Sequence, residues 1–511
     1  MSLLLRFFLV LVSAGLYGLS FPPYGSFLVA WFAMVPFLLA LPGLNVRMAL
    51  LVSWISGLAM AYAITDFLPG AVANYYGQGT FFGILLFIAS VSVMCCVSHM
   101  MFAVWYRWPK RPTGFGAPFV VAAAWVVAEF VRGDLSGNPW GTMGYTQARV
   151  LSLVQIAEWT GVYGVTFLVL ASNAAIADVV TSVVRKTGWP VEARKIGAVA
   201  LLVVVVAGLG RLRFAQIEKQ PGGDVPIAVV QGNIDLGSQW RSELYGQNLK
   251  EYLLQTRDAV AEVGADVVFW PENAMTFFVE DEPLYRASMA QVLYEPGLEL
   301  VAGGPSKVPG KAAVRNSAFL IDSAGQVVSR YDKRVLLPFA EYYPAWMSLF
   351  LNRDFDGVRE FAPGEAEPAL PTAAGRATMV TCNEALFPRT VNERVGEGSD
   401  YLVSLANDGW LGVHKYSDRV LDMVALRSIE HRRFMVRASS SGGSAIIAPS
   451  GRVLAKAEPF AAEVLHGLIR GRDGATPYEW GGDWFVVLCF VVVVWASVQG
   501  ARPRGPKRSS A

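Results

Sequence analysis

One cysteine and two charged residues in the C-terminal half of the chain follow strand-like segments and could form a nucleophilic site. Cys382 follows the β-rich run at 377–381, Glu272 ends the run VVFWPE, and Lys333 lies in YDKRVLLPFAEY. A cysteine nucleophile needs a base that takes its proton and a donor that stabilises the oxyanion. A partly buried carboxylate suits the first role, because burial raises its pKa, and a lysine suits the second.

Histidine is the usual base for a cysteine, but here it is the weaker alternative. The chain has four histidines, none of them in an evident motif: His99, His414, His431 and His466. Taken singly, Glu272 and Lys333 would each also fit a solvated surface charge. Their order along the chain, together with the cysteine, favours a site.

The composition places part of this chain in a membrane. Hydrophobic residues make up 53% and charged residues 16%, against about 25% charged in soluble domains, and the mean hydropathy is +0.39. A purely soluble or disordered chain is therefore excluded. The 43 basic and 41 acidic residues nearly balance, which gives no indication of a nucleic-acid partner.

Eight apolar runs are long enough to suggest membrane-spanning helices. They cover approximately 4–20, 25–41, 48–66, 80–105, 117–131, 162–180, 196–211 and 484–499. We therefore predict seven spans within residues 1–213, a globular domain at 222–470, an eighth span at 484–499 and a basic tail at 500–511.

The Lys and Arg residues of the short loops predict the orientation. Counted from an inside N-terminus, the inside segments carry most of these residues, as positive-inside insertion requires. Both termini are then cytoplasmic, and domain 222–470 lies in the periplasm of a bacterial inner membrane. The alternative for the first run, a cleaved signal peptide, is disfavoured because Phe21, Pro22 and Pro23 follow it instead of a small-residue cleavage site.

The domain at 222–470 combines short β-rich runs with helical periodicity, which predicts an α/β layered sandwich. Asn316–Tyr331 reads as a hairpin. Two apolar segments beside the candidate residues, 275–279 and 342–351, fit either a lid at the lipid headgroups or buried structure. Cys382 is the only cysteine of this domain, so a disulfide within it is excluded.

The motifs WPEN, YDKRVLLPFAEY and TCNEALFP resemble the Glu–Lys–Cys triad of the nitrilase superfamily. QGNI, FAPGE and NDGW also resemble segments of that superfamily. A nitrilase-like domain between seven helices and one more resembles its membrane-bound branch, the apolipoprotein N-acyltransferase family.

This resemblance implies a nitrilase-like αββα sandwich on a base of eight helices, and acyl transfer in two steps. Cys382 would take an acyl chain from a phospholipid, expected to be phosphatidylethanolamine, and pass it to the N-terminal amine of a diacylglyceryl lipoprotein. Glu272 would act as the base, and Lys333 with the backbone N–H after Cys382 would hold the oxyanion. Glu341 and Glu384 match supporting glutamates of the family.

Further residues match the family less closely. Trp240, Asn316 and Tyr342 are the expected substrate-binding residues. Asn383 stands where some members have tyrosine, which leaves the role of that side chain open. We predict no metal and no cofactor.

Two other functions remain as alternatives. A membrane-tethered amidase that hydrolyses small amides would use the same triad, but one anchoring helix would serve it. A transporter with an outer regulatory domain would need intramembrane charges, and few are present: Asp66, Glu129 and Asp178.

Overall fold

The computed structural model describes all residues except 76, 108–113, 221, 235–240, 295–296, 312, 338–340, 343–360, 366, 410–413 and 502–511. The chain forms two compact units. One comprises Met1–Leu212 with Gly481–Ala511, and the other Arg213–Trp480.

The first unit is helical. Its α-helices are Leu3–Leu19, Ala30–Ala33, Val35–Ala40, Val46–Thr65, Leu68–Tyr75, Thr80–Val91, Val97–Tyr106, Ala117–Phe130, Leu151–Val154, Ala157–Thr160, Val162–Val184 and Trp484–Ala501. Ser92–Cys96 and Val131–Leu135 are π-helical, Met143–Gln147 is 3₁₀-helical, and the helix Trp189–Glu218 contains the boundary between the units in the chain.

Four helices in the described part of the chain are long and apolar enough to cross a membrane: Val46–Thr65, Thr80–Tyr106, Val162–Val184 and Glu192–Glu218. The other predicted spans form shorter helices. Ala117–Phe130, for example, has 14 residues, fewer than the roughly 20 that cross a bilayer. The arrangement of eight spans therefore stays a prediction.

The intramembrane charges singled out in the sequence are engaged in contacts. Glu129 accepts hydrogen bonds from Trp125 Nε1 at 2.9 Å, from the Met143 N–H at 3.0 Å and from the Thr166 hydroxyl at 2.9 Å. Asp178 pairs with Lys195 at 2.8 Å. These contacts fit groups that hold helices and loops together within the helical unit.

The second unit contains two six-stranded sheets. Its strands are β1 Val225–Gln231, β2 Val267–Phe269, β3 Glu299–Lys307, β4 Val314–Ile321, β5 Val327–Asp332, β6 Leu370–Thr372, β7 Gly375–Met379, β8 Tyr401–Ala406, β9 Met435–Ser439, β10 Ala445–Ile447, β11 Val453–Lys456 and β12 Glu463–Ile469. The orders are β12-β1-β2-β3-β4-β5 and β11-β10-β9-β8-β7-β6. β1, β2 and β3 run parallel, as do β7, β8 and β9.

Successive residues of a strand face opposite sides of its sheet, so the strands contribute to two hydrophobic cores. Val229 of β1 and Val403 of β8 meet in the core between the sheets. Val230 faces the opposite side of its sheet and packs against the helix Tyr245–Val263. The α-helices of this unit are Tyr245–Val263, Pro283–Val292, Pro388–Gly396, His414–His431 and Pro477–Gly481, with 3₁₀ turns at Ser242–Leu244, Val279–Asp281 and Cys382–Leu386. The result is the predicted layered α/β sandwich.

The two apolar segments beside the candidate residues have different outcomes. Met275, Phe277 and Val279 are buried in the core beneath the helices, so the buried alternative holds for 275–279. Of 342–351, only Tyr342 is among the described residues.

Candidate active site

Cys382 lies on a sharp turn after β7. Its backbone has φ +52°, in the left-handed region that side chains other than glycine rarely occupy. The short 3₁₀ helix Cys382–Leu386 begins at this residue. A strained turn of this kind at a strand end presents a nucleophile.

Glu272 follows β2 after Trp270 and Pro271, and it is buried. A glycine on the neighbouring strand makes this position possible: a Cβ at Gly303 would lie 2.6 Å from the Cα of Glu272. The Gly303 N–H donates to the Pro271 carbonyl at 3.2 Å. The turn therefore lies directly on β3 with the carboxylate pointing inward.

Lys333 follows β5 immediately and is 1% exposed. Its N–H donates to the Asn316 carbonyl at 2.8 Å, and its own carbonyl accepts from the Gly364 N–H at 2.8 Å. A Cβ at Gly364 would meet the Asp332 carbonyl oxygen at 2.2 Å, so only glycine allows this approach. The FAPGE segment thus fixes the end of the strand that carries the lysine.

The three predicted catalytic side chains converge. Lys333 Nζ lies 3.7 Å from Glu272 Oε1, and the Cys382 thiol lies close enough to the Glu272 carboxylate for each group to shift the pKa of the other. Two further donors hold that carboxylate: Asn316 Nδ2 at 2.6 Å from Oε1 and the Asn407 N–H at 2.8 Å from Oε2. The base is therefore oriented from both of its oxygens.

Among the described residues, Glu341 is the closest anion to Lys333. Lys333 Nζ lies 2.9 Å from its Oε1 and 2.8 Å from its Oε2. Asn316 Nδ2 also donates to Oε1 at 3.0 Å, and the Leu337 N–H donates to Oε2 at 2.7 Å. Asn316 thus bridges the two carboxylates that flank the ammonium.

Glu384 connects the segment after Lys333 to the turn at Cys382. Its Oε1 accepts the N–H groups of Arg334 and Val335 at 2.8 and 2.9 Å, and its Oε2 accepts the Thr381 N–H at 2.7 Å. The Tyr331 hydroxyl donates to the same carboxylate at 2.8–2.9 Å. One buried side chain therefore fixes the residues on both sides of the site.

Burial and opposite charges set the protonation states. Burial raises the pKa of Glu272, opposed chiefly by Lys333. Burial, reinforced by the charge of Glu272, raises the pKa of the Cys382 thiol well above its ordinary value. Burial acts to lower the pKa of Lys333, but Glu341, Cys382 and Glu272 outweigh it and raise that pKa. The resting site therefore holds an ammonium and a neutral thiol, and the thiol needs a base.

The remaining predicted site residues have different outcomes. Asn383 is buried beside the nucleophile, and its Oδ1 has no hydrogen-bond partner among the described residues. Tyr342 is 36% exposed next to Glu341. Trp240 lies outside the described residues. Asn316 contacts the two glutamates, and its expected role in substrate binding stays a prediction.

Several residues of the site were not predicted individually from the sequence. Asn407 was noted only within NDGW, although its place after a predicted strand resembles that of Glu272. Tyr331 precedes Lys333 by two residues but carried no signal of its own. Tyr416 lies close enough for the charges of Asp408 and Cys382 to add to the burial that raises its pKa.

No group of three or more His, Cys, Asp or Glu side chains that could hold a metal ion occurs in the part of the chain that the structure describes.

Comparison with known proteins first shows what the second unit of the chain resembles. Residues 226–476 match the model of the carbon-nitrogen hydrolase family. Among solved structures, an amidase of the nitrilase superfamily from Nesterenkonia is 17% identical with a TM-score of 0.40, covering 53% of this chain and 98% of the amidase.

The match of the helical unit and the similarity to full-length relatives identify the family. Residues 13–175 match the apolipoprotein N-acyltransferase N-terminal domain. An apolipoprotein N-acyltransferase from Geobacter metallireducens is 33% identical over 508 residues, covering 97% of this chain and 94% of the relative. One from Pseudomonas syringae pv. tomato is 29% identical over 500 residues, covering 96% of each chain. The chain belongs to the apolipoprotein N-acyltransferase family.

Proposed function

We propose that this chain transfers an acyl chain from a phospholipid to the N-terminal amine of a diacylglyceryl-cysteine on an apolipoprotein, through a thioester on Cys382. The observation that carries the proposal is the convergence of Cys382, Glu272 and Lys333 in one site of a chain that belongs to this family. The names of the relatives supply the substrate class, and the geometry supplies a route for the chemistry.

The first half-reaction forms the acyl-enzyme. Glu272 takes the thiol proton while the sulfur of Cys382 attacks the ester carbonyl carbon of the phospholipid, and a C–S bond forms. The carbonyl oxygen becomes an oxyanion, which the Lys333 ammonium and the N–H of Asn383 stabilise. The ester C–O bond then breaks, Glu272 returns its proton to the leaving alkoxide, and lysophospholipid departs.

The second half-reaction consumes the thioester. The α-amino group of the lipoprotein attacks the thioester carbonyl, Glu272 takes a proton from the amine, and a C–N bond forms. Collapse breaks the C–S bond, and the sulfur of Cys382 recovers a proton. An amine attacks a thioester more readily than an oxygen ester, so the covalent intermediate splits one difficult step into two easier ones.

The finer parts of the proposal concern donor, topology and location. We infer that the acyl donor is phosphatidylethanolamine. We also infer that residues 1–213 form seven spans and that 222–470 is a periplasmic catalytic domain. The eighth span is then 484–499, and 500–511 is a cytoplasmic tail. Four long apolar helices and the distribution of basic loop residues support a multi-pass protein of the bacterial inner membrane. Because both substrates are anchored in lipid, the domain must work at the bilayer surface.

The chemistry is tested by incubation of the purified protein with a phospholipid labelled in its acyl chain and a diacylglyceryl peptide. We expect N-acyl peptide as product and, without peptide, a labelled thioester on Cys382 that mass spectrometry locates. Cys382→Ala should yield neither. Release of free fatty acid as the sole product would instead favour the hydrolytic alternative, and full activity of Cys382→Ala would overturn the mechanism.

The topology is tested with cysteines introduced into a Cys382→Ala background and a membrane-impermeant thiol reagent on intact cells. Gln78→Cys lies in a predicted outside loop and should be labelled. Thr187→Cys lies in a predicted inside loop and should be labelled only after the membrane is disrupted. The reverse pattern would contradict the proposed orientation.

A further inference from the structure

A buried ion pair near the active site joins Arg437 in the middle of β9 to Asp408, two residues after β8. Arg437 Nη2 donates to Asp408 Oδ2 at 2.6 Å, and the two side chains are 1% and 4% exposed. Removing both charges from water is costly, and well-packed apolar residues of the same volume often stabilise a fold as well or better. Stability is therefore a weak explanation for this pair.

Strand geometry explains how the arginine reaches this place. Val436 and Ala438 face the core between the sheets, so Arg437 between them points to the opposite face. β8 and β9 run parallel with Ser404 in register with Arg437, and Arg437 Nη1 donates to the Ser404 hydroxyl at 3.0 Å. The guanidinium is thus held at two points, Ser404 on β8 and Asp408 just beyond its end.

The turn that begins at Asn407 is tied down by further contacts. The Ser439 hydroxyl donates to Asp408 Oδ2 at 3.0 Å, and the Ser440 hydroxyl donates to Asn407 Oδ1 at 2.6 Å. The Asn407 N–H in turn donates to Glu272 Oε2 at 2.8 Å. A continuous series of polar contacts therefore runs from the end of β9 to the catalytic base.

We propose that Arg437 is a positioning residue for Glu272 and acts through Asp408. The ion pair fixes the turn after β8, and the N–H of Asn407 in that turn keeps the carboxylate directed at the Cys382 thiol. This inference rests on the proposed roles of Glu272 and Cys382 and deepens them. The arginine itself touches neither.

The same pair also affects the charge near the nucleophile. Among the described residues, the charged and titratable groups that act on Cys382 are Glu272, Lys333, Glu341, Asp408 and Tyr416. Among them, Asp408 raises the pKa of the thiol, and Arg437 opposes the effect of Asp408 on the neighbouring Tyr416. Without the guanidinium, the Asp408 charge would act on the thiol uncompensated and Glu272 would lose a fixed donor. Both changes move thiol reactivity to higher pH.

The test measures alkylation of Cys382 by iodoacetamide across a pH series in the full-length protein in detergent, with the Cys382 peptide quantified by mass spectrometry. In Arg437→Gln, we expect the midpoint of the rate profile to rise by about one pH unit, the size of one lost hydrogen bond. In Arg437→Gln with Asp408→Asn, the uncompensated charge is removed but the ion pair that fixes the turn is still absent, so the shift should become smaller without disappearing. Arg437→Lys keeps the charge but not the two-point contact and should give a smaller upward shift.

Arg427→Gln is the matched control, because Arg427 and Glu430 form an equally buried pair at 2.9 Å on the helix His414–His431. It should lower the melting temperature without moving the midpoint. An unchanged midpoint in folded Arg437→Gln, or the same shift in Arg427→Gln, would overturn the proposal. If Arg437→Gln does not fold, Arg437→Lys decides, and an unshifted profile would count against the proposal.

Iodoacetamide needs no lipid, so this outcome is separate from the proposed acyl transfer. A wild-type protein that is alkylated normally but transfers no acyl chain would contradict the proposed function and leave the positioning role standing.

Discussion

The carboxylate of Glu341 contacts the ammonium of Lys333 with both of its oxygens, at 2.9 and 2.8 Å. The nearest oxygen of Glu272 lies farther from the same nitrogen, at 3.7 Å. The lysine therefore has its main counter-ion in Glu341, eight residues along the chain. This arrangement leaves the Glu272 carboxylate available for the thiol proton instead of closing it in a tight ion pair.

Replacing Glu341 by glutamine should slow formation of the acyl-enzyme by about 10- to 100-fold, the range for loss of a charge-assisted hydrogen bond. Without its main partner, the Lys333 ammonium is expected to move toward Glu272 and weaken the base. Single-turnover labelling with acyl-labelled phospholipid measures the rate. Glu393→Gln makes the same charge change at a side chain that is 57% exposed and should leave the rate unchanged. Equal rates in both variants would argue against the role of Glu341.

Glu384→Gln should damage the site more than Tyr331→Phe does. The carboxylate accepts from three backbone N–H groups and one hydroxyl, whereas an amide offers a single acceptor oxygen and turns its NH₂ toward at least one N–H donor. Tyr331→Phe removes only the hydroxyl donor. We expect a lower melting temperature and a slower acyl-enzyme step in both variants, with the larger effects in Glu384→Gln. The opposite order would show that the backbone contacts matter little.

Asn383→Ala should retain most activity, with a loss below about tenfold. The side chain is buried, but its Oδ1 has no hydrogen-bond partner among the described residues, while the backbone N–H proposed for the oxyanion is kept. The measurement is the single-turnover rate, compared with Cys382→Ala as the inactive reference. A loss of 100-fold or more would assign the side chain a direct part in catalysis.

The sequence was sufficient to locate the three side chains because each one follows a recognisable β-rich run. Glu272 lies three residues after β2, Lys333 one residue after β5 and Cys382 three residues after β7. Strand ends of this kind meet where the two sheets pack together. The β-rich runs of the sequence lie in β1–β4 and β7–β9, and the predicted hairpin also contains β5. β6, β10, β11 and β12 were missed. β6, β10 and β11 have only three or four residues, and so short a run shows little alternation.

The contacts that orient these side chains could not be predicted. The Asn407 N–H that holds Glu272 is a backbone group, and a backbone donor leaves no mark in the residue type. Tyr331 and Glu384 lie 53 residues apart, and their contact depends on how the two sheets pack. The number of spans was uncertain for a different reason, since hydropathy reports apolar content but not where a helix ends, as at Ala117–Phe130.

Glu272→Gln should lose acyl-enzyme formation and also change the pH dependence of unfolding. Loss of the base should slow the step by about 10²- to 10⁴-fold.

Burial raises the pKa of Glu272 in the folded protein, so its contribution to stability is present below the unfolded pKa and is lost as the pH rises through the folded value. The amide does not titrate, but its NH₂ faces one of the two donors that hold the carboxylate. We therefore expect the melting temperature of the variant relative to the wild type to rise by a few degrees as the pH increases, roughly 2–4 °C per kcal/mol for a domain of this size. Thermal unfolding followed by tryptophan fluorescence over a pH series measures it. Glu341→Gln makes the same charge change but removes the main partner of Lys333, so it should instead destabilise the protein. A stability difference between Glu272→Gln and the wild type that stays constant over the pH series would contradict the raised pKa of Glu272 in the folded protein.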